Sequence, residues 1–365
     1  MVLAAARDAA QMAQDSRLTG DVAEAISEAG FARHFVPERW GGRAGTFRQL
    51  LDAALETAEA CASTSWCATL FAAHGRLSAY LPEEGQHDVW ASSPDVRIAA
   101  AVVPPSGRAT ACDNGWRLTG SWGYASGIDW ADWVLLASWT PPVDGPGENH
   151  EHRIFAVPRA DVDVHHTWRS LGLRATGSNT VTAEDVFVPA HRSFTVADLA
   201  TSRPGAARCH SVPYPMVAAL MFAAPTLGAA RSARSAWMTQ AVERMRVAAD
   251  GPGRSLPAGP RRTFAQASAE IHAAGLLLAD VAERADSADV TSLSVAECRR
   301  DATAAAARCS QAVDALFRAS GARGLVEGNT MQRLWHDVTA VTAHAALDAD
   351  AAAEDCARIE LGGVV

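Results

Sequence analysis

The stretch from Trp116 to Pro189 opens WRLTGSWGYASGIDWADWVLLASW and closes LGLRATGSNTVTAEDVFVP. Trp116, Leu118, Gly120 and Trp122 alternate with polar or small residues. Val134, Leu135 and Leu136 follow as an apolar run, and Val181 to Val188 alternates again before Pro189. Period-two alternation rich in aromatic and β-branched residues, punctuated by Gly, Asn and Pro, marks strands with one buried face. The stretch therefore predicts antiparallel strands, and the surrounding composition places a β domain over residues 97–195.

Both flanks are Ala-rich and helical in pattern. On the N-terminal side, helices are expected over Ala4–Ser16, after Thr19 as an N-cap with Gly30 closing it, and from Thr46 through Ala58. Ser63–Ala73 is small and apolar almost all round, which predicts a buried helix delivering His74 at its C-terminal end. Pro82 starts a further helix toward Trp90. Residues 1–96 thus read as a helical domain. Beyond the β domain, Ala197–Ala207 connects to four long helical segments. The first carries Leu227, Arg231 and Trp237, with Pro225 as its start or kink. The others run over Phe264–Ala285, Val295–Ser320 and Met331–Glu360. Loops are expected at Thr140–His152 and Asp250–Pro260, where turn formers cluster. Four helices with breakers between them make residues 196–365 a four-helix bundle. The fold class is α+β.

The chain has 365 residues, 48% of them hydrophobic and 20% charged, with a net charge of -9. That length and balance fit a soluble globular protein of two or three packed domains. The acidic charge argues against nucleic acid as a partner. No uninterrupted apolar run reaches bilayer length, which argues against a membrane. The N-terminus lacks a secretory signal's apolar core, and the seven cysteines form no CxxC pair. Most read as buried thiols of a cytoplasmic protein.

The order of segments resembles the acyl-CoA dehydrogenase fold, and particular residues extend the likeness. YASGIDWADW (124–133) is similar to that superfamily's flavin-side strand. LGLRATGSNTVTAEDVFVP resembles its Gly-Arg-Ser-rich strand pair ending in Val-Pro. NTMQRLWHDVTAVTAHAALD (329–348) resembles a signature of the two-component, reduced-flavin-dependent monooxygenases. FARHFVPERWGGRAGTF, EACASTSWCATL and AYLPEEGQ look most like hydroxylases of aromatic polyketide pathways, of the actinorhodin type. The resemblance spans essentially the whole chain. It implies reduced FMN or FAD (FMNH2 or FADH2) arriving by diffusion from a separate NAD(P)H-dependent flavin reductase, with O2 as co-substrate. It further implies a C4a-hydroperoxyflavin that hydroxylates an aromatic polyketide-type substrate in natural-product biosynthesis, and a homotetramer. No GxGxxG follows a strand and opens a helix, so nothing predicts an NAD(P)H site in the chain itself.

The same resemblance assigns roles. Ser126, between small residues that let backbone approach a ring closely, is expected beside flavin N5 together with Gly127. His344, read as lying on the last helix, is expected to stabilise the hydroperoxide or assist deprotonation of a phenol, tasks suited to imidazole. Trp122 is expected to cover a ring face, Thr176 and Ser178 to contact the ring or ribityl chain, and Arg333 to hold the flavin phosphate by reaching a neighbouring subunit's flavin. His74 is read either as facing an aromatic substrate or as a satisfied core residue. His150 and His152 lack further ligands at suitable spacing, so no metal site is expected. Two other functions remain open at this level. One is a flavin oxidase or dehydrogenase of the same fold, or an N-oxygenase of an amino sugar. The other is a flavin-free binder of a pathway intermediate.

Overall fold

The structure is a computed structural model that describes residues 1–103, 105–140, 150–201, 203, 205–247 and 256–362. The loops expected at Thr140–His152 and Asp250–Pro260 lie largely outside the described residues.

The N-terminal helices are α1 (Val2–Asp15), α2 (Gly20–Ala29), α3 (Phe47–Ala60), α4 (Ala62–Ser78) and α5 (Glu83–Trp90). Thr46 opens α3 with a reciprocal capping box. Its hydroxyl accepts the Gln49 N–H at 3.1 Å, and the Gln49 side chain accepts the Thr46 N–H at 3.2 Å. Thr19 precedes α2, but its hydroxyl donates to Asp8 at 2.9 Å and does not cap the helix. Gly30 closes α2 at φ 77°, left-handed geometry that glycine adopts without a Cβ penalty. Every residue of α4 is buried, so this helix passes through the centre of the molecule. It continues four residues beyond His74, which is therefore not at its end.

The central sheet contains β1 (Ile98–Ala101), β2 (Arg108–Cys112), β3 (Gly115–Ala125), β4 (Trp133–Thr140), β5 (Glu151–Pro158), β6 (Asp163–His165), β7 (Asn179–Pro189) and β8 (Ser193–Thr195). Its order is β6-β7-β3-β2-β4-β5-β8, with β1 beside β4. The sheet is mixed, where an antiparallel one was expected. β1 runs parallel to β4 from Ile98↔Trp133 to Ala101↔Leu136, and β2 meets β4 in parallel at Arg108↔Trp139. The β2–β3 hairpin intervenes between β1 and β4, so the chain re-enters beside β1 in the same direction. Alternation specifies which face of a strand is buried, not which way its neighbour runs. The β3–β7 ladder shifts register after Leu118 and again after Trp122. Tyr124 sits at φ 66° in the second irregularity. This break re-aims the end of β3, where Ser126 begins the turn.

The C-terminal helices are α6 (Arg208–Ser211), α7 (Tyr214–Val247), α8 (Ala258–Ser287), α9 (Ser292–Ala319), α10 (Thr330–Thr342) and α11 (Ala349–Glu360). Helix α7 runs through Pro225. By length and composition α7 could cross a membrane, but 89% of its most apolar window is buried inside the protein; it is a core helix. The segment expected over Met331–Glu360 is not one helix. The His344 side chain accepts the Ala346 N–H at 3.1 Å, capping a short 3-10 turn over Ala345–Leu347. The Asp348 carboxylate then accepts the Ala351 N–H at 2.9 Å and caps α11. Two consecutive side-chain caps offer the backbone an alternative to continuing α10. His344 therefore projects from a turn, not from a helix face.

Candidate active site

Three segments converge where α4, the end of β3 and the turn before β7 meet. From α4, the Trp66 indole N–H donates to the Ser126 hydroxyl at 3.1 Å. Ser126 and Ser178 share a hydrogen bond of 2.7 Å, as do Ser178 and Thr176. Thr176 in turn donates to the Leu173 carbonyl at 2.8 Å. Gly127 fixes the corner: its N–H donates to the Thr176 carbonyl at 2.8 Å. It stands at φ 72°, where an added Cβ would lie 2.9 Å from Phe71. Only glycine lets the strand end pack this closely on α4.

Counting protons fixes the direction of this chain. A carbonyl can only accept, so the one hydroxyl proton of Thr176 goes to Leu173. Thr176 must then accept from Ser178. Ser178, its proton committed, accepts from Ser126. The polarity runs Trp66 N–H to Ser126 to Ser178 to Thr176 to the Leu173 carbonyl. Each hydroxyl is aligned head to tail, which strengthens the series cooperatively. Ser126 is left with no free proton and one unused lone pair. Toward any further group it is an acceptor.

His344 supplies the opposite polarity. Its ring stacks on Phe222, with centroids 3.9 Å apart and planes at 24°, and meets Trp66 edge-on at 5.7 Å. Burial pushes its pKa down to about 4, so it is neutral near pH 7. Because Nδ1 accepts the Ala346 N–H, the ring proton sits on Nε2. That N–H has no hydrogen-bond partner among the described residues. Trp66 and Phe222 keep the surroundings apolar. An acceptor hydroxyl and a free imidazole N–H thus flank one indole.

The other predicted residues are distributed differently. Trp122 does not join this cluster. It is 1% exposed, packs in the sheet's own core against Gly107 and Gly120, and donates from Nε1 to the Ala137 carbonyl at 2.7 Å. Its ring faces are taken up by packing, which corrects the expected ring-covering role. His74 lies two helical turns beyond Trp66 on α4. Its Nδ1 donates to the Ile98 carbonyl at 2.7 Å, and burial, partly offset by that bond, lowers its pKa to about 4. It is a neutral core histidine tied to β1, with Nε2 an acceptor unbonded among the described residues. Arg333 stands in the first turn of α10. Its guanidinium makes no hydrogen bond or ion pair among the described residues, and its charge acts on Cys61 and Asp337 nearby. Among the described residues no three metal-ligating side chains gather.

Three members escaped sequence reasoning. Trp66 lies inside EACASTSWCATL, where a lone indole among small residues was the available signal. Phe222 carries none, being one apolar residue in an apolar helix. Asp337 is buried, and its carboxylate accepts the Leu173 N–H at 2.7 Å.

A profile of the acyl-CoA dehydrogenase C-terminal domain matches residues 220–349. The oxygenase subunit HsaA of a flavin-dependent monooxygenase from Rhodococcus jostii is 33% identical over 362 residues, covering 95% of this chain and 92% of that protein. The chain belongs to this monooxygenase family. Another relative is the oxygenase component of an FADH2-dependent resorcinol hydroxylase from Rhizobium sp., 34% identical over 337 residues, which covers 86% of this chain and 81% of that one. The crystal structure of 3-HSA hydroxylase from Rhodococcus sp. RHA1 superimposes with a TM-score of 0.91 at 30% identity, covering 100% of this chain and 95% of that one. The family's acyl-CoA dehydrogenase-like fold is thereby shown for this oxygenase-type chain. Names such as oxygenase subunit and oxygenase component imply, for those relatives, a separate reductase.

The residues fit a reduced flavin. An isoalloxazine edge needs an acceptor for N5–H, a donor near the reacting carbon and apolar walls. Ser126 offers an acceptor, the His344 Nε2–H a donor, and Trp66 with Phe222 apolar walls. The Arg333 guanidinium, without a hydrogen-bond or ion-pair partner among the described residues, has the chemistry a phosphate would require.

Proposed function

We propose that this chain is the oxygenase component of a two-component flavin monooxygenase that hydroxylates an aromatic ring. The observation that carries the reading is the polarised chain from Trp66 to Leu173, which makes Ser126 an acceptor on the same indole that the His344 ring meets. Reduced FMN or FAD, supplied by a separate NAD(P)H-dependent reductase, brings the capacity to activate O2. Ser126 and Gly127 would hold the N5 edge of the flavin, with the Ser126 lone pair as the acceptor for its N–H. Thr176 and Ser178 set the orientation of Ser126. His344 would offer its Nε2–H as the donor on the side where oxygen reacts. Trp66 and Phe222 exclude water. Arg333 binds the flavin phosphate, and His74 faces the aromatic substrate, its neutral Nε2 accepting a hydrogen bond from a substrate hydroxyl. The finer reading, a polyketide-type substrate in natural-product biosynthesis and a homotetramer in the cytoplasm, rests on the sequence resemblance.

The buried carboxylates favour oxygenation over α-proton abstraction. Asp337 is the one deeply buried acid among the described residues, and it is committed to the Leu173 N–H.

An acceptor at N5 distinguishes redox states. Reduced flavin presents N–H there, whereas oxidised flavin presents a lone pair that Ser126 cannot satisfy. A mismatched buried pair costs about 1–3 kcal/mol, so reduced flavin should bind roughly 10- to 100-fold more tightly. Anaerobic titrations with FADH2 and FMNH2, against aerobic titrations with FAD and FMN, test this. Equal affinities would contradict it.

A further inference from the structure

Asp337 reaches no member of the Ser126 chain directly, yet it holds the residue on which that chain ends. Its carboxylate accepts the Leu173 N–H at 2.7 Å. Leu173 is a non-glycine residue at φ 51°, a left-handed conformation that persists only when its surroundings enforce it. Its carbonyl accepts from the Thr176 hydroxyl at 2.8 Å and the Trp168 indole at 3.0 Å. The preceding Gly172 lies flat on α10: a Cβ there would stand 2.0 Å from the His336 carbonyl. The strained turn is therefore clamped onto α10 at one charged point.

We propose that Asp337 is a positioning residue: its ionised carboxylate holds Leu173 in the left-handed turn, and so sets the orientation of Thr176, Ser178 and Ser126. The inference rests on the proposed oxygenase function. When Asp337 is protonated, the bond to the Leu173 N–H weakens, the far end of the hydroxyl chain loosens, and Ser126 holds its lone pair less firmly. Burial raises the Asp337 pKa to about 6, against the opposing Leu173 bond and the Arg333 charge. The charged or titratable groups around it are Arg333 and His336 on α10, Cys61 at the start of α4, and Arg174 next to the turn. Burial raises Cys61, and burial with the Arg174 charge lowers His336, so both shifts favour the neutral forms.

The test is Asp337→Asn, with hydrogen peroxide released per NADH measured between pH 5.5 and 8. A flavin reductase supplies FADH2, and resorcinol is the acceptor. In the wild type the peroxide fraction should rise several-fold as pH falls through about 6. The variant, which carries no charge, should show the raised fraction at every pH. Titration of the flavin itself appears in both proteins and cancels. Thermal unfolding gives a readout independent of activity. The folded-state pKa of Asp337 is raised, so its ionised form costs stability. The melting temperature of Asp337→Asn should therefore gain on the wild type as pH rises from about 4 to about 6. A variant with the wild-type peroxide profile overturns the inference, as does a flat wild-type profile if the variant does not fold. A wild type that neither releases peroxide faster than free FADH2 nor oxygenates any phenol overturns the proposed function instead.

Discussion

At the scale of single residues, polarity within the hydroxyl chain decides what each side chain can do. On the proposed reading, Ser126→Ala removes the N5 acceptor, while Trp66 and Ser178 stay in place. The flavin N5 proton is then free to leave, so hydrogen peroxide release should rise and product yield should fall, by on the order of 10-fold or more. His344→Asn replaces the Nε2 donor by an amide held at another reach. Product formation should slow by up to roughly 100-fold, with reduced-flavin affinity within a few-fold of wild type. Single-turnover quantification of product and peroxide checks both variants. Arg333→Ala should weaken FADH2 binding by about 1.5–3 kcal/mol, read by anaerobic titration; an unchanged dissociation constant would remove Arg333 from the site. Ser126, Gly127, Thr176 and Ser178, singled out because each sits in a short, unusual string, are brought together by the fold. Trp122 misled, because an aromatic in the same strand looks identical whether its face points to the core or to a ligand. Asp337 was invisible as a group that acts through Leu173, since its contact spans 164 positions.

At the scale of elements, the site depends on two places where regular structure stops. One is the β3–β7 ladder, whose register breaks before Ala125 and turns the chain toward α4. The other is the end of α10, where His344 and Asp348 cap successive turns. Strands and helices were readable from period and caps; these breaks were not, because an Ala-rich run through Ala343–Ala346 has good helix propensity. The parallel pairing of β1 with β4 was equally hidden, since direction follows from chain connectivity. The clamp between the Leu171–Asn179 turn and α10 gives a prediction at this scale. Gly172→Ala would drive a Cβ to within 2.0 Å of the His336 carbonyl. The turn must then lift off α10. Stability should fall by about 1–3 kcal/mol, seen in urea unfolding, together with higher peroxide release.

At the scale of the whole molecule, imidazoles whose pKa burial lowers, His34 among them, set the acid limit. His74, His210 and His344 all have pKa values lowered to about 4 by burial. The unfolded chain takes up their protons first, near pH 6.5. Stability should therefore decline as pH drops from about 6.5 to about 4, against a smaller opposite contribution from Asp337. Thermal melts across that range check the sign. The outer faces of the bundle leave apolar side chains uncovered, among them Met238 at 43%, Leu276 at 61%, Leu325 at 66% and Val326 at 61% exposure. Such surface suits pairing with further copies, and sedimentation at micromolar concentration should show a dimer or tetramer; a monomer would contradict this. The central claim is that the chain directs oxygen from O2 onto an aromatic ring using reduced flavin it does not itself generate. The direct measurement is a single turnover of the anaerobic protein with FADH2, mixed with oxygen-18 gas in solution and with resorcinol or 4-hydroxyphenylacetate. The account predicts one labelled oxygen atom in the ring-hydroxylated product and none without reduced flavin. Unlabelled phenols, with FADH2 oxidised no differently from free flavin, would contradict it.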